Sequence, residues 1–95
     1  MSVKARLVDD IDAADAQPGD FEFYKSGDRY PAGMTFVCPC GCGMLGALAF
    51  RPHPSPSWEW DGNEAAPTLK PSVHIIPDGK THWHGWLTGG VWRSV

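Results

Sequence analysis

Apolar and polar positions alternate in short runs along this chain, the period of strands with one buried face. Ser2 to Val8 alternates weakly and predicts a first strand with Val3, Ala5 and Leu7 on one face. Phe21 and Phe23 alternate with Glu22 and Tyr24 between Gly19 and the turn Ser26-Gly27-Asp28, and Pro31-Ala32-Gly33 predicts another turn. Met34 to Val37 and Met44 to Phe50 read as the two arms of one hairpin. Trp58-Glu59-Trp60 puts two indoles on one side of a short strand. Val73 to Ile76 makes the next strand, with His74 on the face opposite Val73 and Ile75, and Pro77-Asp78-Gly79-Lys80 turns the chain. His82 to Leu87 and Val91 to Ser94 form the last pair, joined by Thr88-Gly89-Gly90, where glycine supplies the positive φ of a tight hairpin. Along the first of these, His82, His84 and Trp86 share one face, and Trp83 and Gly85 the other.

Two stretches break the alternation. Asp9 to Asp20 sets five aspartates among small alanines, and reads as a short helix or a solvated acidic loop, without the EF-hand spacing that would hold calcium. Arg51 to Ser57 is a stiff proline-rich connector. The predicted class is mainly β with little helix: a small antiparallel sheet of hairpins in one domain over residues 1–95, with 1–20 as a candidate N-terminal arm.

Composition sharpens this picture. Hydrophobic residues make up 42% and charged ones only 20% of 95 positions, which is a folding chain with a core too small to forgo a staple. A net charge of −3 gives no basic footprint, so nucleic-acid binding is disfavoured as the main role. No apolar run is long enough for a secretory leader or a membrane span, and the chain is expected to be cytoplasmic, where thiols stay reduced.

All three cysteines fall in Cys38-Pro39-Cys40-Gly41-Cys42-Gly43, between the arms of the predicted central hairpin. On a straight strand the outer thiols would sit too far apart to share one ion. Pro39, Gly41 and Gly43 let the segment curl, which predicts a zinc-ribbon-like knuckle. A disulfide between cysteines two apart closes a strained ring and the odd count leaves one thiol over, so metal is the better reading, with a Cys38–Cys42 disulfide as the geometrically conceivable alternative. His82 and His84 are the candidate imidazoles: both bind, or one binds and the other orients it.

These residues, with Trp58 and Trp60, Pro67-Thr68-Leu69, Pro71-Ser72, Trp83-His84-Gly85-Trp86-Leu87 and Trp92, resemble a family of small bacterial and phage proteins catalogued as a domain of unknown function. The resemblance spans residues 34–94. It implies metal binding without an assigned reaction, and a setting in phages or beside bacterial ubiquitin-like conjugation genes. It carries over Cys38, Cys40, Cys42 and His84 as ligands. Members carry a further cysteine where this chain has Thr81, so His82 is the candidate replacement.

Three thiolates and one imidazole close a zinc shell, and a closed shell is structural. The His-x-Glu of deaminases and the HExxH of metalloproteases are absent. The expectation is therefore a zinc-binding protein that acts by docking rather than turnover. Its partner would be a capsid or tail protein or a second copy, as part of a virion. The alternatives are an accessory factor of a ubiquitin-like conjugation system and a small zinc-dependent hydrolase.

Overall fold

The computed structural model describes every residue except Met1, Ala13, Ala14, Ser55, residues 76–81 and Val95. The predicted turn at Pro77 to Lys80 and the departure at Thr81 lie outside the described residues. Among these, the chain is all-β with no helix. Its strands are β1 (Ser2–Lys4), β2 (Arg6–Leu7), β3 (Asp20–Ser26), β4 (Arg29–Val37), β5 (Leu45–Ala49), β6 (Glu59–Trp60), β7 (Leu69–Lys70), β8 (Val73–Ile75), β9 (Trp83–Thr88) and β10 (Val91–Ser94). One four-stranded sheet runs β1-β10-β9-β8, a second runs β2-β3-β4-β5, and β6-β7 is a separate pair. All strand pairs are antiparallel except β2 with β3.

The expected first strand is divided at Ala5. Ser2–Lys4 pairs with β10 in one sheet, Arg6–Leu7 pairs with β3 in the other, and the buried Ala5 between them donates its N–H to Gly90. Leu7, predicted to face inward, is 44% exposed because this switch takes it out of the first sheet's face. The predicted turn at Pro31 to Gly33 is instead part of β4, since a neighbouring strand needs the bare backbone: a Cβ on Gly33 would run into the Tyr24 ring and the Leu48 carbonyl. The last hairpin follows the prediction, with Gly89 and Gly90 at φ of 56° and 76°.

Inward residues of the two large sheets meet in one core. Phe21, Met34, Phe36 and Leu48 come from one, and Val73, Trp83, Leu87 and Trp92 from the other. Trp92 joins them: its ring lies 4.9 Å from Phe36 and 5.7 Å edge-on to Trp83, and its indole N–H donates to the Gly19 carbonyl at 3.0 Å. A buried indole needs such an acceptor.

Asp20, read from sequence as part of a solvated acidic run, is buried at the start of β3. It accepts from Arg6 Nε and Nη2 at 3.1 and 2.8 Å and from the Gln17 N–H at 2.8 Å. Burial pushes its pKa up, but the Arg6 guanidinium and the Gln17 N–H outweigh that and hold the carboxyl below its ordinary 3.8. A depressed carboxyl stabilises the fold fully above the ordinary value, and that contribution is lost as pH falls through the lowered one. Asp20→Ala should cost about 1–3 kcal/mol in urea unfolding near neutral pH, from the donors it strands. The gap from wild type should close in acid; a gap that persists there would contradict this role.

Candidate functional site

The cysteines sit where β4 turns back into β5. Val37 pairs with Leu45, and the Cys38 N–H donates to the Met44 carbonyl at 2.8 Å, so the ladder continues to the base of the knuckle. The Gly41 N–H then closes a tight turn on the Cys38 carbonyl at 3.2 Å. Gly41 and Gly43 take φ of 91° and 82°, which residues with a Cβ rarely adopt. The outcome is that Cys38 packs in the core, Cys40 and Cys42 stand at the surface, and all three thiols are free.

The fourth group comes from the opposite sheet. His82 immediately precedes β9, and its Nε2 lies 2.9 Å from Cys40 Sγ and 3.0 Å from Cys42 Sγ. Cys38 Sγ and Cys40 Sγ are 3.3 Å apart, and the four donor atoms all lie within 4.8 Å of one another. A tetrahedral zinc shell of three thiolates and one imidazole has edges of roughly 3.5–3.8 Å. The three short separations here lie below that and the set spans no more than 4.8 Å, so a small outward shift of the donors would seat such an ion, and their chemistry suits it. Burial raises the Cys38 thiol to about 12. The Met44 N–H, donating to Cys42 Sγ at 3.4 Å, lowers Cys42 to about 7. One thiol is thus poised to ionise near neutrality, while the other gives up its proton only to a cation.

His84, which the resemblance assigned to the knuckle, is elsewhere. His84 Nε2 instead lies 3.1 Å from Ser72 Oγ, the residue just before β8. The register pairs His74 with His84, and their rings stack at 4.5 Å, with Trp86 stacked on His84 at 5.9 Å. Ser72 and His84 are both half-buried, and Trp86 is 45% exposed, so the pair is reachable from solvent. Pro71-Ser72 is among the residues that carry the resemblance, but the sequence reading assigned Ser72 no role, because no G-x-S-x-G marks it as a nucleophile. The available signal was that His74 and His84 both face outward on consecutive strands.

A serine hydroxyl against an imidazole is the core of nucleophilic acyl transfer. A profile of the family described as bacterial ubiquitination-like system serine protease (BubE) matches residues 7–95. The chain belongs to the BubE family. No curated protein and no solved structure matches it. Membership agrees with the ubiquitin-like conjugation setting that the resemblance implied and extends over most of the N-terminal third. It lends nothing to a phage or virion role. No helix among the described residues is long and apolar enough to cross a membrane.

The geometry separates the two histidines experimentally. This BubE-family chain should bind one divalent ion, and affinity, already opposed by the Cys38 proton below about 12, should fall more steeply as pH drops through about 7, where a proton also competes for Cys42. His82→Ala should weaken binding by more than the about 10–100-fold typical of losing an outer-shell partner, whereas His84→Ala should leave metal content unchanged. Metal analysis with chelator competition reads both; loss in His84→Ala and retention in His82→Ala would reverse the assignment.

Proposed function

We propose that this protein is a serine peptidase of a bacterial ubiquitination-like system, with Ser72 as nucleophile and His84 as general base, stapled by a structural zinc on Cys38, Cys40, Cys42 and His82. The observation that carries this is the 3.1 Å contact between Ser72 Oγ and His84 Nε2 across adjacent strands. The family's description supports the same chemistry and points to ubiquitin-like proteins or their conjugates as substrate.

With its proton on Nδ1, His84 accepts the Ser72 hydroxyl proton as Oγ attacks the substrate carbonyl. The imidazolium then protonates the departing amine, leaving an acyl group on Ser72. Water, deprotonated by the same imidazole, attacks the ester, and the proton returns to Oγ as the acid leaves. Stacking against His74 and Trp86 restrains the His84 ring during this cycle. Trp86, exposed beside the base, offers an apolar wall to the substrate chain.

The zinc-hydrolase alternative finds less support, because four protein donors leave no ligand position open for water. The docking reading would need exposed apolar side chains to cover. Trp83 and Trp92 are core residues, and Trp86 alone of the five is strongly exposed.

The test is hydrolysis of a ubiquitin-like precursor or conjugate from the same system. Ser72→Ala should abolish turnover and His84→Ala should lower kcat about 10²–10⁴-fold, with both variants folded and metal-loaded. Full activity in Ser72→Ala would overturn the proposal. A chain that binds its partner without cleaving it would restore the docking role.

A further inference from the structure

The knuckle and the serine–histidine pair lie at one short ladder. β8 has three residues, stands at the edge of its sheet and is held to β9 by Val73↔Gly85, His74↔His84 and Ile75↔Trp83. Ser72 precedes this strand and His84 lies within the partner, so their contact exists only in this register. A slip of one residue would turn His84 to the buried face. So short an edge strand holds its register weakly by itself.

His82 is placed to hold it. Its backbone N–H donates to the carbonyl of Ile75, the last residue of β8, at 2.8 Å. Its imidazole reaches the thiols of the other sheet at 2.9 and 3.0 Å. At the opposite end of β8, the Trp58 indole N–H donates to the Ser72 carbonyl at 3.2 Å. The segment carrying the nucleophile is thus pinned at both ends, and one pin runs through the cysteine cluster.

We infer that His82 is a positioning residue: ligation of a metal at Cys38, Cys40, Cys42 and His82 fixes the β8–β9 register and thereby the Ser72–His84 contact. This rests on the peptidase reading for its consequence in catalysis. The physical coupling of cluster to ladder can be read without turnover. On the peptidase reading a chelator should inactivate the enzyme although the metal touches no substrate.

The experiment compares metal-loaded full-length wild type, His82→Ala, His82→Cys and His84→Ala. Amide exchange is read in β8–β9, with β3–β4 as internal reference, and ring-nitrogen NMR of His84 reports its tautomer. In His82→Ala, β8–β9 amides should exchange at least about tenfold faster with β3–β4 unchanged, and the single His84 tautomer should be lost. kcat should fall with little change in KM. His82→Cys, which rebuilds a four-ligand zinc shell, should restore all three. His84→Ala should lose turnover and keep normal exchange.

Unchanged exchange and tautomer in metal-free His82→Ala would overturn the inference. Should that variant not fold, stepwise chelation of wild type serves instead, and simultaneous loss of protection in both ladders would overturn it in favour of a global staple. If loaded wild type shows no peptidase activity, the proposed function fails, while exchange and tautomer still decide the coupling.

Discussion

The antiparallel ladder between β8 and β9 is the constraint on which the proposed chemistry depends. Strand geometry sends alternate residues to opposite faces and separates same-face neighbours by roughly 6.6–6.8 Å. Trp83, Gly85 and Leu87 accordingly fill the core, while His84 and Trp86 face outward. The same spacing lets His82 and His84 serve different ends: one meets Cys40 and Cys42, the other meets Ser72. Gly85 is the hinge of this arrangement in a steric sense. A Cβ there would collide with the Arg93 carbonyl and the Trp83 ring, so β10 could not close on β9.

Around that ladder the two large sheets are held by a small number of joints. The chain crosses between them at Ala5 and Trp92 packs on Phe36 across the core, while Asp20 ties β2 to the start of β3 within one sheet. The cluster of Cys38, Cys40, Cys42 and His82 is the remaining joint, and the only one of these with donors suited to a metal. In a domain of 95 residues the hydrophobic core leaves little stability to spare, so a joint through a metal can decide whether a short edge strand stays in register. On the proposed peptidase reading, this gives the cluster a physical purpose beside Ser72, where a metal would otherwise be superfluous.

Much of this was legible in the sequence because it is local. The cysteine knuckle follows from glycines that permit positive φ, Val91 to Ser94 from a two-glycine turn, and the all-β class from period-two alternation. What was not legible depends on contacts distant in sequence. Pro31 to Gly33 looks like a turn until Tyr24 and Leu48 are known to press on Gly33. Asp20 looks solvated until Arg6 reaches it, and Ser2 to Val8 looks like one strand until Ala5 is seen to switch sheets. Ser72 carries no nucleophile motif, and its contact with His84 follows from the β8–β9 register. Of the two imidazoles the sequence offered for the knuckle, His82 stands with the three thiols, while His84, which the resemblance carried over, meets Ser72.

The most direct measurement is a crystal structure of the metal-loaded protein after reaction with a serine-directed fluorophosphonate, with anomalous data collected at the zinc edge. The expected result is one phosphonyl group on Ser72 Oγ, within hydrogen-bond reach of His84 Nε2, and one anomalous peak bonded to Cys38, Cys40, Cys42 and His82. An adduct on another residue, or a zinc peak coordinated by His84 in place of His82, would contradict the central claim.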